Sequence, residues 1–245
     1  MSNPWFPFGT APAALGRVFC VPFAGAGASA YATWVKRAPQ GVSIVPVQLP
    51  GREQRRKEPP EPNLRRLVDA LVREIAPMTS EPYSLFGHNM GALVVFELAR
   101  ALRRLGAPPP VTLFVSGRGA PDRPVAKRQI HMLPDREFIQ EIRKLRGTPD
   151  ALLDHPDFTS AFLPALRADF ALIETYKCAH EAPLDTPISV FGGEDDQTTP
   201  ADALEGWRVH TTARFLRRTV RGGHFVVTGA RAEILDAIAA DLTRP

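Results

Sequence analysis

Leu85-Phe86-Gly87-His88-Asn89-Met90-Gly91-Ala92 joins two segments of different character. Residues 83–86 form a short run of strand type. Residues 90–105 are strongly apolar, long enough for a buried helix, and closed by Gly106. Gly87 and Gly91 flank the junction and let the backbone turn sharply without a Cβ clash. Asn89, between them, is one of the few non-glycine residue types that tolerate a positive φ. A strand that turns tightly into a helix is the repeating unit of a parallel α/β sheet.

The same alternation extends in both directions. Residues 17–23 (RVFCVPF) predict a buried strand, 24–29 a Gly/Ala/Ser loop, 30–37 a short helix and 42–48 a second strand, ended by Leu49-Pro50-Gly51. Asn63 is the expected N-cap of a helix through Ile75, because Leu64, Leu67, Val68, Leu71 and Ile75 fall at helical spacing. Residues 111–116 are the next strand. From about 126 to 177 only helical patterns occur, with Asp135 expected to cap a helix to about 145 and one or two more helices over 157–177. Alternation resumes with strands at 188–191 and 214–220 and a helix at 230–242. The expectation is one α/β domain over 1–245, with a mostly parallel central sheet covered on both faces by helices. The helical block is expected to be a lid inserted over one end of the sheet. Right-handed crossovers would put the chemically active loops at the carboxyl ends of the strands.

At about 150 residues per domain, 245 residues are one domain or two small ones, enough to bury a core without metals or disulfides. A composition 44% hydrophobic and 23% charged argues against a disordered or fibrous chain. No apolar run reaches the roughly 18 residues of a membrane span, and Met1-Ser2-Asn3-Pro4-Trp5 does not resemble a secretory signal. Cys20 and Cys178 make no disulfide framework, so both are expected to be reduced and structural in a cytoplasmic protein. The net charge is +4. Its local clusters are Arg52, Arg55, Arg56 and Lys57, then Arg65 and Arg66, then Arg217, Arg218 and Arg221. They have no interleaved aromatics, which speaks against nucleic-acid binding, and they are expected to be mainly solvated faces, although an acidic partner could be steered by them.

The turn at 87–91 occupies the place of the G-x-S-x-G nucleophile elbow of α/β-hydrolases. Its central residue is Asn89, and a carboxamide has no hydroxyl or thiol to attack a carbonyl. The partners of such a nucleophile follow in the order the fold expects. Glu194-Asp195-Asp196 comes after a late strand, and a carboxylate there can orient an imidazole; spacing alone does not separate Asp195 from Asp196. His224, in Arg221-Gly222-Gly223-His224-Phe225, follows the last strand and is the natural general base. An oxyanion hole would combine the backbone N–H of Met90 with that of Phe23 or Ala24. Pro22-Phe23-Ala24-Gly25-Ala26-Gly27 lacks the features of a phosphate loop. His131, His155, His180 and His210 show no metal-ligand spacing, so no metal is expected. His88 is expected to pack in the core, as is the stripe Leu93, Val94, Phe96 and Leu98.

With these residues in place, the chain resembles the type II, or editing, thioesterases of polyketide and nonribosomal peptide pathways. The resemblance spans about residues 15–242. Beyond the elbow it rests on Val21-Pro22-Phe23-Ala24-Gly25-Ala26, on Gln48-Leu49-Pro50-Gly51-Arg52-Glu53 with Arg55, and on His131-Met132-Leu133-Pro134-Asp135 with Glu137-Phe138. It continues through Arg146-Gly147-Thr148-Pro149, Leu163-Pro164-Ala165-Leu166-Arg167-Ala168-Asp169-Phe170 with Glu174-Thr175-Tyr176, and Gly222-Gly223-His224-Phe225. It implies an α/β-hydrolase fold with a helical lid. It also implies hydrolysis of stalled or misprimed acyl chains from the phosphopantetheine arm of an acyl or peptidyl carrier protein during antibiotic biosynthesis. No cofactor is implied, because phosphopantetheine arrives on the substrate, and a monomer is expected. Asp196 matches the family's acid, although the next position, usually Pro, is Gln197. His224 matches the base, and Asn89 stands where the nucleophilic serine belongs. Three activities fit that replacement. The chain could be a thioesterase with impaired or silenced hydrolysis, or a His–Asp general-base enzyme that eliminates, isomerises or cyclises a carrier-bound chain. It could also be a non-catalytic carrier-binding module.

Overall fold

The computed structural model describes residues 3–123, 129–145, 147 and 150–243. In chain order the elements are β1 (Arg17–Val21), α1 (Ala32–Lys36), β2 (Ser43–Pro46), α2 (Leu64–Ile75), β3 (Tyr83–His88), α3 (Met90–Arg104) and β4 (Leu113–Ser116). Then come α4 (Asp135–Lys144), α5 (Asp150–Leu153), α6 (Pro156–Glu174), β5 (Ile188–Gly193), α7 (Ala201–Glu205), β6 (Phe215–Val220), α8 (Val226–Gly229) and α9 (Arg231–Leu242). The six strands lie in the order β2-β1-β3-β4-β5-β6, and each neighbouring pair is parallel. The chain steps from β1 to β2 on one side and then to β3 on the other. The switch of direction opens a crevice between the carboxyl ends of β1 and β3, where Val21 is in register with Gly87.

Strands β1 to β5 bury both faces, as a doubly wound sheet requires, while the edge strand β6 is largely half-exposed. On one face Phe19, Leu85 and Val115 pack with Leu64, Leu67 and Leu71 of α2 and the apolar side of α3. Val94, Phe96 and Leu98 are buried there as expected, and Leu93 of the same stripe is fully buried as well. On the other face Phe86, Phe114 and Phe191 pack with Trp34 of α1 and Ile234 and Ile238 of α9. Asn63 caps α2 by accepting from the Arg66 N–H at 3.1 Å. The helices between β4 and β5 hold a small apolar cluster of their own, Phe138, Ile142, Leu153 and Leu166. Ala24, in the loop after β1, touches both this cluster and the main core.

Several expectations are corrected. The first strand stops at Val21, so Phe23 lies in the loop, and the second stops at Pro46. Asp135 does not cap α4: Pro134 holds that position, and Asp135 pairs with Arg167 at 2.6 Å. The helical block ends at Glu174. Its expected start at 126–128, and Arg146, Thr148 and Pro149 of the family resemblance, lie outside the described residues. The basic clusters are not uniformly solvated. Arg55 is buried, stacks on Trp5 with its guanidinium carbon 4.0 Å from the ring centroid, and pairs with Glu58. Arg218 pairs with the buried Asp241.

Arg52 departs furthest from the solvated expectation. It is 8% exposed and makes a bidentate pair, at 2.7 and 2.8 Å, with Asp169 of α6, which is 1% exposed. The same Asp169 carboxylate accepts from the Gly25 N–H at 2.7 Å, and Arg52 donates to the Ala26 carbonyl at 3.1 Å. Gly25 has φ 79°, and a Cβ there would lie 2.6 Å from the Phe162 ring of α6. The loop after β1 is therefore bolted to α6 by charge and close approach together. Removing one partner of a buried ion pair leaves the other charge uncompensated, at a cost of about 3 kcal/mol. Asp169→Ala is expected to lower the thermal midpoint by roughly 6–12 °C. An unchanged melting curve would show that the pair does not hold the fold.

Candidate active site

Asn89 sits at the crevice between β1 and β3 with φ 52° and ψ −110°, a strained conformation for a non-glycine residue. The neighbouring glycines explain why the strain persists. A Cβ on Gly87 would collide with the Gly91 carbonyl, and one on Gly91 would collide with the Val21 carbonyl. The Asn89 N–H is held by the Ser116 carbonyl at 2.8 Å, at the end of the adjacent strand. The turn thus aims the Asn89 side chain out of the sheet and starts α3 immediately behind it.

The Asn89 carboxamide nitrogen lies 2.9 Å from Nε2 of His224. Nδ1 of His224 is 2.8 Å from Oδ2 of Asp196 and 2.9 Å from the Thr198 hydroxyl. With a carboxylate on Nδ1 the ring proton sits there, and Nε2 carries the lone pair that accepts from Asn89. The structure separates the two candidate acids. Asp195 is exposed, whereas Asp196 is 7% exposed and faces the imidazole. Burial pushes the Asp196 carboxyl up. Hydrogen bonds from Thr198 and from His224 outweigh it and hold the group below its ordinary value.

Sequence reasoning had passed over Thr198. Its hydroxyl donates to Oδ1 of Asp196 at 2.6 Å and its backbone N–H at 2.8 Å, and the Thr199 N–H adds a third bond at 3.2 Å. Asp196-Gln197-Thr198 is an Asx-type turn, in which an aspartate binds the backbone two residues on, so the spacing carried the signal.

His88 packs in the core as expected. Its Nδ1 meets the Ser116 hydroxyl at 3.1 Å, and its ring centroid is 5.3 Å from that of His224. Burial, and secondarily the nearby His224, pull its pKa down to about 3, so it stays neutral beside the candidate base. Phe23 and Phe225 stack edge-on, with centroids 5.3 Å apart, over this pair. Among the described residues, the backbone N–H groups of Phe23, Ala24 and Met90 donate to no protein acceptor. They are free to bind an oxygen placed over Asn89.

Asn89 and His224 open on a cavity of about 470 Å³, of the size that takes a small ligand. Phe23, Ala24, Ile142, Leu166, Phe170 and Ile173 make its wall largely apolar. Residues from α4 and α6 therefore form part of the wall above the turn. No group of three or more metal-ligating side chains occurs among the described residues, and no described helix is long and apolar enough to cross a membrane. The Cys20 thiol is buried and pushed far up by burial, so it stays protonated.

Because Asp196 is held below its ordinary value in the folded chain, it contributes stability above about pH 4 that is lost as the pH falls through the folded value. Denaturant unfolding of the protein and of Asp196→Asn should give a stability difference that narrows below about pH 4. A difference constant from pH 5 to pH 3 would contradict the arrangement.

The model of the thioesterase domain family matches residues 16–242. The gramicidin S biosynthesis protein GrsT of Aneurinibacillus migulanus is 41% identical over 241 residues, covering 98% of this chain and 94% of its own. The thioesterase RedJ, from the prodiginine biosynthetic pathway in Streptomyces coelicolor, superposes with a TM-score of 0.86 at 38% identity, over 97% of this chain and 92% of its own. BorB, a type II thioesterase from the borrelidin biosynthetic cluster, gives a TM-score of 0.84 at 34% identity, over 98% of this chain and 95% of its own.

Proposed function

The chain belongs to the thioesterase-domain family, as a relative of type II thioesterases, and from that premise we propose that it acts on acyl groups held as thioesters on the phosphopantetheine arm of an acyl or peptidyl carrier protein, without passing through an acyl-enzyme. The observation that carries this reading is the hydrogen-bonded row Asn89–His224–Asp196 at the mouth of an apolar cavity. Asn89, Asp196 and His224 are the catalytic positions, and the N–H groups of Met90 and of Phe23 or Ala24 are the oxyanion hole. The helices between β4 and β5, within the single domain 1–245, serve as the lid over the acyl chain. The protein works as a cytoplasmic monomer, with no nucleic-acid or membrane partner and with no cofactor beyond the arm its substrate brings.

The thioester carbonyl oxygen would take the free N–H groups and place its carbon over Asn89. A serine there would give its proton to His224 and attack. The carboxamide nitrogen instead has its lone pair in resonance with its own carbonyl, and its N–H occupies the His224 lone pair. Hydrolysis then needs a water to displace that N–H. His224 takes one proton from the water while the oxygen attacks the carbonyl carbon, and Asp196 stabilises the imidazolium. The tetrahedral oxyanion collapses, and the departing thiolate recovers the proton from His224. Positioning and the oxyanion hole alone retain about 10³–10⁴ over water, whereas loss of a nucleophile costs up to about 10⁶.

Asn89→Ser is therefore expected to raise acyl release from a loaded carrier protein by about 10²-fold or more, and to show a transient acyl adduct in intact-protein mass spectrometry. His224→Ala should remove release in either background. If Asn89→Ser changes nothing while the unsubstituted protein alters the mass of the carrier-bound group in a His224-dependent way, the chain performs other proton-transfer chemistry. If His224→Ala leaves every activity intact, it is a binding module.

A further inference from the structure

Among the described residues, Arg118 is the one arginine of the cavity wall that no counter-charge meets. Its backbone is fixed two residues beyond Ser116, the residue that holds the Asn89 N–H, and its carbonyl accepts from the indole of the fully buried Trp207 at 2.8 Å. Its side chain is half-buried and forms part of the same cavity wall as Asn89 and His224. Arg123, the other arginine on that wall, is paired with Asp202. The buried arginines elsewhere each meet a carboxylate: Arg17 meets Glu81, Arg52 meets Asp169, Arg55 meets Glu58, and Arg100 meets Glu97 and Glu181.

Among the described residues the Arg118 guanidinium makes no hydrogen bond and no ion pair. The residues outside that set contain no Asp or Glu that could supply one. No acidic residue appears among the described residues lining the cavity. The Tyr176 phenol, which donates to Glu97 at 2.8 Å, is kept protonated by burial and so brings Arg118 no counter-charge. Burial pulls the Arg118 pKa down to about 10, which still leaves it charged at neutral pH. A cation in an apolar wall is costly until a counter-charge joins it. A guanidinium offers a planar fork that matches a carboxylate.

We propose that Arg118 is a specificity-determining residue that binds a carboxylate on the acyl chain, so that the cavity favours dicarboxylic half-thioesters over alkyl thioesters of the same shape. The inference rests on the cavity being the acyl-thioester site. Its test is calorimetric binding of non-hydrolysable pantetheine amides. Malonyl, succinyl and glutaryl amides are each compared with the isostere that carries an isopropyl group in place of the carboxylate, with and without the 4′-phosphate on the arm. At least one dicarboxylic amide should bind about tenfold or more tightly than its isostere. In Arg118→Met the ratio of the two affinities should collapse to about one, and Arg118→Lys should recover it only in part. The melting temperature of Arg118→Met should hold or rise, because an unpaired charge has been removed from the wall.

Isosteres that bind as well as the dicarboxylic amides, or a preference that survives Arg118→Met, would overturn the proposal while leaving the acyl site standing. An Arg118-dependent preference for the 4′-phosphate alone would reassign the residue to the arm and overturn it too. A melting temperature lowered by several degrees in Arg118→Met would mark the residue as structural and do the same. If neither amides nor isosteres bind at all, the reading of the cavity as an acyl site fails and takes the proposal with it.

Discussion

The contact between the first turn of α3 and the end of β1 constrains everything around it. Gly91 lies so close to the Val21 carbonyl that no side chain fits between them, and Gly87 lies equally close to the Gly91 carbonyl. That packing leaves residue 89 no way through the turn except at positive φ. Two consequences follow from one constraint. The side chain at 89 is pushed out over the carboxyl end of the sheet, and the first N–H groups of α3 are left without helical acceptors. The loop after β1, which must run past the same contact, brings the N–H groups of Phe23 and Ala24 alongside. A site for a carbonyl oxygen thus arises from close packing, independently of which side chain stands at the turn.

A second constraint ties that site to the helices between β4 and β5. Asp169 of α6 accepts from Gly25, one residue beyond Ala24, while Arg52 holds both the carboxylate and the Ala26 carbonyl. The loop that carries the Phe23 and Ala24 N–H groups is therefore tied to α6, whose Leu166 and Phe170 line the cavity. If α6 moves to admit an acyl chain, the loop is drawn with it.

Local sequence signals made the frame legible. Hydrophobic runs, glycines and the Asn63 cap act within a few residues, so the strands and principal helices fell within a few residues of their positions. His224 was legible because it follows the last strand, where loops converge on the crevice. What stayed hidden depends on partners far along the chain. Nothing around Arg52 announces Asp169, 117 residues away, so a buried bidentate arginine looked like part of a basic cluster. Asp195 and Asp196 are equivalent by spacing. Only the Thr198 bonds and the imidazole distinguish the buried carboxylate from its exposed neighbour. Arg118 gave no signal at all, since an arginine after a strand is ordinary until its lack of a counter-charge can be seen.

An asparagine at 89 fits this frame because the frame does not depend on a hydroxyl. Asn tolerates the positive φ that the glycine contacts impose, so the turn, the free N–H groups and the His224–Asp196 pair can all coexist with it. What changes is the direction of the hydrogen bond to Nε2. A serine hydroxyl presents a proton that can be taken and leaves an oxygen that can attack. The carboxamide presents a proton it does not surrender and has no atom that can attack behind it. His88, a ring's width away, is held neutral by burial and so adds no positive charge beside the imidazolium that proton transfer to His224 would create. His224 therefore rests with its Nε2 lone pair engaged by Asn89, and on the proposed reading turnover begins by breaking that bond. On the proposed hydrolytic reading a water must first reach Nε2, a requirement that a serine at 89 would meet only in its second half-reaction, after the acyl group has already left the carrier.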